Sequence, residues 1–391
     1  MLTLLLSALL ATVPVASPVP ESVEGPADST SAVPSILGVA RALMGFMSTQ
    51  ATSVEDTIAV DLVNKALDAV ETGTVAVPVS VGLPSGTDTS LVARINPATF
   101  FLNIPAANYS GIAPIAINGL EGDFLLVDDK SATEGFRKVH LSFDEAGQIT
   151  AAQDLGFIAA STGATATDGE GIIYNTRRGT VLLAREASNE ILEFGLDGKA
   201  TGRNLHTSSF FPKNANAGLE SLTYSPENGR IFTTTEGVPE GGDCLRIQGY
   251  AHWFWPSGHW AYQLDKAAVS KPGAIYARGV SELCAMPDGS LLVLEREANI
   301  PGTSVKEAVG AFVTCKLYRV EPHSTPTGKV LEKHLVTRID TRALDLSFAN
   351  YEGMCLGPTL PNGQKVLILV SDSQAGYKGI LRDWFKTIIL K

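Results

Sequence analysis

The sequence predicts an all-β chain folded as a β-propeller of five or six blades, behind a short N-terminal extension that is helical or disordered. Three observations predict it. One unit recurs along the chain: an acidic residue, a short apolar run, a turn ending in Gly, a second apolar run and another acidic residue. The recurrence comes at roughly 50–70 residues, longer than most solenoid units and suited to a three- or four-stranded blade. Finally, 37 Gly and 21 Pro among 391 residues, with only 18% charged, describe a turn-rich β protein with enough apolar sequence for a large core.

At the front, "MLTLLLSALLATVPVAS" carries an apolar run from Leu2 to Val13 followed by small residues, although no Lys or Arg precedes it. This is the pattern of a secretory signal peptide over residues 1–17, so the chain is expected to be secreted or periplasmic. The run is short for a membrane span, and no integral membrane segment is expected after cleavage. Residues 18–77 read as a linker and N-terminal helices. The stretch to 32 is rich in Pro, Ser and Glu, and helix-like pieces cover 33–47 and 57–70. The propeller domain is expected over 78–391.

The clearest repeat is "GLESLTYSPENGRIFTTTEG" (218–237). Its relatives begin at Asp168, Gly279 and Asn350, and a fifth begins at Asn108. Asn108-Tyr-Ser-Gly matches Asn350-Tyr-Glu-Gly, so Ser110 takes the place of the glutamate in that copy. Turns such as Pro-Glu-Asn-Gly and Pro-Asp-Gly combine a Pro-restricted φ with a Gly free to take positive φ, which is hairpin chemistry. Alternating runs at 138–143, 190–196, 259–264 and 316–321 read as third strands, with 384–390 in that part for the last copy. A sixth blade is expected, if present, from 78–105 or 238–275. The strand near 89–95 is expected to close the ring.

A glutamate near the start of each innermost strand would stand at the channel mouth: Glu170, Glu220, Glu282 and Glu352. A second acidic set ends the following strand: Asp128, Asp129, Glu186, Glu236, Glu295, Glu297 and Asp372. Antiparallel pairing brings both sets to one rim. Crowded like charges are tolerated if cations intervene, and clustered oxygen ligands suit Ca²⁺ or Mg²⁺ rather than zinc. Arg185 and Arg296 stand beside repeat glutamates and could pair with them or receive an anionic substrate. The competing view is structural, each glutamate tying down a neighbouring loop.

The Gly-Leu-Glu-Ser-Leu element (218–222), the Leu-Glu-Arg element (294–296) and "NYEG…LILVSDS" (350–373) together resemble the phytase-like propellers of the "esterase-like activity of phytase" family, over about residues 105–391. The resemblance implies an exported protein with esterase or phosphoesterase activity. It implies a site drawn from Glu170, Glu220, Glu236, Glu282, Glu295, Glu352 and Asp372. Ser373-Gln374 after Asp372 departs from the acidic or amide residue and aromatic usual there. In the resulting expectation Glu220 and Glu236, with Arg185 and Arg296, carry catalysis, while Glu170, Glu282, Glu295, Glu352 and Asp372 hold a divalent cation, with Ca²⁺ favoured.

The remaining signals are fewer. "HWFWPSGHW" (252–260) offers Trp253, Trp255 and His259 for stacking a carbohydrate or another ring-bearing ligand, or else as an aromatic plug. A net charge of −11 disfavours nucleic acid as a partner. Cys244, Cys284, Cys315 and Cys355 are widely spaced, which disfavours a zinc site and leaves disulfides and buried thiols both open. The functional expectation is metal-assisted hydrolysis of a small-molecule phosphate or carboxylic ester. The alternative is a non-catalytic module using the mouth and the tryptophan loop to hold a carbohydrate or other ligand.

Overall fold

The computed structural model describes residues 74–76 and 82–391, apart from 166, 208–209, 212–217, 240, 303–309, 344–346 and 374–381. The expected signal peptide and N-terminal helices lie outside the described residues. A short strand β1 (Thr74–Ala76) comes first, and Ala76–Lys391 form one unit. All the described secondary structure is β, in five antiparallel sheets. No helix among the described residues is long and apolar enough to cross a membrane.

Four blades have the same order from inside to outside. Blade 1 is β4 (Tyr109–Asn118), β5 (Glu121–Asp128), β6 (Gly135–Phe143) and β7 (Ile149–Ala159). Blade 2 is β8 (Gly169–Asn175), β9 (Thr180–Arg185), β10 (Glu190–Gly195) and β11 (Ala200–Leu205). Blade 3 is β12 (Leu219–Ser225), β13 (Arg230–Thr235), β14 (Leu245–Tyr250) and β15 (Pro256–Tyr262). Blade 4 is β16 (Ile275–Ala285), β17 (Leu291–Ile300), β18 (Phe312–Val320) and β19 (Lys333–Arg342).

Blade 5 contains β20 (Asn350–Thr359), β21 (Lys365–Asp372) and β22 (Phe385–Leu390). Its outer part comes from the other end of the chain: β2 (Val92–Ile95) and β3 (Thr99–Phe101) both pair with β22. The ring is therefore closed by residues 92–101, and the propeller has five blades. Neither stretch proposed for a sixth blade forms one. Residues 92–101 complete blade 5, and 245–262 are the two outer strands of blade 3. The run at 259–264, expected as a third strand, is in the fourth, because β14 precedes it.

The core lies between neighbouring sheets. Ile112, Phe124 and Val139 of blade 1 pack with Val366, Ile368 and Phe385 of blade 5, and equivalent clusters join blades 1 and 2, 2 and 3, and 3 and 4. Fully buried Phe124, Phe136, Phe194 and Phe385 each contribute about 1.5–3 kcal/mol. The four cysteines are free thiols, and three of them are buried in inner or middle strands. Burial raises the Cys355 thiol well above its usual value, which disfavours the reactive thiolate.

At Gly111, Gly171 and Gly353 the inner strands approach so closely that glycine is required. A Cβ on Gly171 would lie 2.7 Å from the backbone nitrogen of Leu222 in the next blade. One on Gly353 would lie 3.0 Å from the backbone of Gly111. Gly171→Ala is expected to destabilise the fold by roughly 1–3 kcal/mol, since backbone rather than a flexible side chain must yield. Urea denaturation would measure this, and an unchanged midpoint would refute the close-approach argument.

Candidate functional site

Every inner strand carries a β-bulge at the same place. The inner strand advances two residues against one on its partner at Tyr109/Gly111, Leu219/Ser221, Val280/Glu282 and Tyr351/Gly353, and three against two at Gly169/Ile172 in blade 2. The residues set in the bulge are Ser110, Glu170, Glu220, Ser281 and Glu352. A bulge re-aims its extra side chain, and here it recruits glutamates from otherwise apolar strands to one end of the channel. Just beyond the bulge partner, the adjoining strand supplies a second set: Asp129, Glu186, Glu236, Arg296 and Asp372.

Blade 4 breaks the pattern. It presents Ser281 where three other blades have glutamate, and Arg296 where the other four have an acid. The Arg296 side chain is 6% exposed and enclosed by carboxylates. Its Nη2 donates to Glu236 and its Nη1 to Glu352. Nη1 also reaches Asn350 Oδ1 at 3.0 Å, and Nη2 lies 3.8 Å from Glu220 Oε1. Asn350 Nδ2 in turn donates to Glu352 Oε1 at 2.7 Å, and Ser110 Oγ stands 3.5 Å from Glu352 Oε2. Blades 3, 4 and 5 thus meet at one guanidinium, and blade 1 joins them through Ser110 and Glu352.

One arginine cannot neutralise this many acids, and the protonation equilibria reflect it. Burial, then the Glu170 and Glu236 charges, push Glu220 well above the usual carboxylate range. Burial, then Glu352, Asp129 and Glu186, do the same to Glu170. Burial takes Glu352 up to about 8 in spite of Arg296. Burial likewise takes Glu186 to about 7 and Asp129 to about 6, against the opposing bonds each receives.

On the side towards blades 1 and 2, carboxylate oxygens of Asp129, Asp168 and Glu170 all lie within 4.8 Å of one another. Two oxygens bound across one Ca²⁺ at 2.3–2.6 Å each would be separated by about that much. Asp129 Oδ1 is buried with no hydrogen-bond partner among the described residues. The donor set is oxygen-only, so these three residues fit a hard divalent cation. The charge facing them is Lys130, whose Nζ is 2.7 Å from Asp129 Oδ2 and 2.6 Å from Asp168 Oδ1. Lys130 is largely exposed, at the solvent edge of the cluster. Near the same rim a cavity of about 290 Å³ is lined by Pro105, Tyr109, Asp128, Arg137 and Phe157, among others.

The other anticipated residues lie elsewhere. Glu282 stands one position past the bulge, where other blades have Gly or Ser, and is completely buried. Its Oε1 accepts from the backbone N–H of Leu222 (3.1 Å) and of Leu283 (2.9 Å), so it caps inner-strand backbone below the mouth. Glu295 and Glu297 flank Arg296 on the strand and point the opposite way. Glu295 accepts from Tyr262 Oη at 2.6 Å and from the Asp265 N–H, and Glu297 accepts from the N–H groups of Ala268 and Val269. Arg185 forms a two-pronged pair with buried Glu134, at 2.6 and 2.7 Å. Asp372 is in the second set at the mouth and adds to the charge that raises Glu352.

The tryptophan loop is at the far end of the propeller. Thr235, at the mouth, is the last residue of β13. Tyr250, which leads into the loop, pairs with Ile231 at the start of that strand. His259 is on the outermost strand opposite Gln248, with its N–H bonded to Thr327 Oγ1. Mouth and loop therefore cannot hold one small ligand together.

Asp168 and Lys130 were not singled out from sequence. A signal for Asp168 was present: Asn108, Asp168 and Asn350 each stand two residues before the bulge residue.

Fold and site together define a five-bladed propeller with an acidic, arginine-centred mouth. The family model for "esterase-like activity of phytase" matches residues 104–374, well over half of the chain, and the protein belongs to this phytase-like family. No curated protein matches the sequence. Among solved structures, a putative glycoside hydrolase from Bacteroides ovatus is similar at 10% identity, covering 79% of this chain and 97% of that one, with a TM-score of 0.40. The periplasmic gluconolactonase of Pseudomonas aeruginosa is similar at 13% identity over 76% and 95%, TM-score 0.33. Hydrazine synthase of Kuenenia stuttgartiensis is similar at 10% identity over 79% and 90%, TM-score 0.37.

A consequence for stability follows from the raised acids. A carboxyl whose folded-state pKa exceeds its unfolded value stabilises fully below the unfolded value, and that stability is lost as pH rises through the folded one. Asp129, Glu186 and Glu352, at about 6, 7 and 8, place the loss between about pH 4.5 and 8. In chelator, the melting temperature is expected to fall across this window. Arg296→Met should cost about 3–5 kcal/mol near pH 7.5, and clearly less at pH 5, where the acids it leaves unpaired take up protons. Equal loss at both pH values would show that Arg296 acts by packing alone.

Proposed function

We propose that this exported phytase-like propeller is a metal-assisted hydrolase of phosphate or carboxylic esters, acting at the acidic mouth. The observation that carries the reading is the division of that mouth into two unlike halves. Around Arg296 the acids are tightly paired. Around Asp129, Asp168 and Glu170 an oxygen cluster has an unpartnered buried atom and one largely exposed lysine. Ca²⁺ is the favoured ion, and the apolar segment at 2–13 supports delivery to a secreted or periplasmic compartment.

Asp129, Asp168 and Glu170 would hold the cation, which supplies Lewis acidity towards a phosphoryl or acyl oxygen. Arg296 holds Glu236 and Glu352 in place and offers positive charge beside the developing oxyanion. Glu220 has the longest contact to Arg296 and a raised pKa, so it is the group suited to exchanging a proton with the attacking water near neutral pH. The cavity between Pro105 and Phe157 gives room for the alcohol portion of a small ester.

Cation binding is tested first. Saturating Ca²⁺ at a hundred times the dissociation constant should add about 2.7 kcal/mol to stability. Lys130→Met should tighten binding by about tenfold, the equivalent of 1.4 kcal/mol. No thermal shift with Ca²⁺ or Mg²⁺ in either protein would remove the metal from the reading. Turnover is tested with aryl phosphate and aryl acetate, with chelator or Ca²⁺. Glu220→Gln is expected to lower kcat by about 10²–10⁴-fold with little change in melting temperature. Activity that survives this substitution would exclude Glu220 as the base.

A further inference from the structure

From the tryptophan hairpin we infer that the end of the propeller opposite the mouth carries a separate platform for neutral glycans, built on Trp253 and Trp255. The two indoles are 66% and 72% exposed, more than any other large apolar side chain among the described residues. They are the exposed members of the tight turn joining β14 to β15. Phe254, between them, takes a φ of +68°, a left-handed conformation that bulky residues rarely adopt.

The surroundings hold that conformation. Phe254 packs against the core cluster containing Ile231 and Tyr250, with the Arg178 guanidinium 5.0 Å above its ring. Two backbone bonds close the turn: Ala251 N–H to Trp255 O, and Phe254 N–H to Ala251 O, both 2.8 Å. The middle aromatic is partly buried against this cluster, and the flanking two stay in water. The left-handed residue is the one that closes a three-residue hairpin as a type I turn with a bulge, and its packing fixes the two indoles in place, the preorganisation a recognition surface uses.

The platform extends beyond the hairpin. A Cβ at Gly229 would fall 2.6 Å from the Arg177 guanidinium and 3.1 Å from the His252 Cβ, so the end turns of blades 2 and 3 form one surface with the hairpin. The His252 ring lies 4.6 Å from that of Trp253. Exposed Asn228 and Ser257 stand on the same surface with hydrogen-bonding groups. Flat aromatic faces beside amide, hydroxyl and imidazole groups match the two-sided chemistry of a pyranose, with its C–H face and its hydroxyl edge.

Charge selects between a glycan and an anionic membrane. A lipid-facing surface would present free cations around the tryptophans. Here the nearby arginines are engaged. Arg178 Nε bonds Glu193 at 2.6 Å, Arg177 Nη2 bonds the Glu227 carbonyl at 3.0 Å, and Arg230 Nη2 bonds the Ser257 carbonyl at 3.0 Å. Only Arg178 is ion-paired; Arg177 and Arg230 keep their charge, but with exposed Glu227 on the same turn they fall short of the cluster of about four to eight basic residues that an anionic membrane selects, which favours a neutral ligand. This inference does not depend on the mouth being catalytic.

The test is retention of the full chain on insoluble cellulose, chitin and xylan, with tryptophan-fluorescence titration by soluble oligosaccharides of each. Vesicles of phosphatidylcholine with phosphatidylserine serve as the competing surface. Binding to at least one neutral polysaccharide is expected, weakened by at least about tenfold in Trp253→Ala/Trp255→Ala. Both positions are exposed, so the variant should keep its melting temperature. Glu220→Gln should bind glycan as the parent does. Phe254→Gly keeps both indoles but loosens their support, and should also weaken binding. The inference is overturned by no retention on any polysaccharide, by retention indifferent to the double substitution, or by binding to vesicles alone.

Discussion

Five inner strands must share one axis, and the chemistry of the mouth follows from that constraint. With only five blades the strands converge until backbone meets backbone, as at Gly171 against Leu222 and Gly353 against Gly111. There is no room on the axis for five ordinary side chains. Polar groups near the strand starts are therefore redirected, and the shared bulge provides the redirection. It lifts Ser110, Glu170, Glu220, Ser281 and Glu352 out of the pleat while leaving the apolar alternation on either side intact. Glu282 shows the constraint from the other side. It occupies the crowded position and fits by bonding inward-facing backbone N–H groups, which would otherwise be unsatisfied in a buried channel.

Much of this architecture was legible in the sequence because it rests on period-two apolar runs and turn chemistry, which are local. The five hairpins, their Gly-ended turns and the closing strand near 92–95 all follow from such signals. The outer strands were less legible. β11, "ATGRNL", is exposed at five of its six positions and shows no alternation to read. In blade 3 the run at 259–264 was visible through its aromatics, so the plainer β14 was passed over and the strand count slipped by one.

The site was legible as a composition and illegible as a register. Sequence comparison pairs glutamate with glutamate, which equates Glu282 with Glu220. Hydrogen-bond pairing equates Ser281 with Glu220, because the bulge falls one residue earlier. The same parity error carried Glu295 and Glu297 into the second ring and obscured Arg296 as its member in blade 4. In a strand a shift of one residue reverses every side chain. Asp168 and Lys130 depend on neighbouring blades meeting at the rim, and no local pattern encodes that meeting.

The exchange of acid for arginine in blade 4 gives the mouth its capacity for chemistry. A ring of equivalent carboxylates would be uniform, each raised by its neighbours and none distinct in role. Arg296 breaks the equivalence. It draws Glu236, Glu352 and, at longer range, Glu220 towards itself, and leaves Asp129, Asp168 and Glu170 on the far side to manage their charge with an exposed lysine. Acid–base chemistry needs groups whose proton affinities are held apart, and cation binding needs oxygens that no fixed cation already satisfies. Both requirements arise from one substitution in a repeated motif. The asymmetry of the site is therefore carried by the blade that departs from the repeat, while the four that keep it supply the acids on which that departure acts.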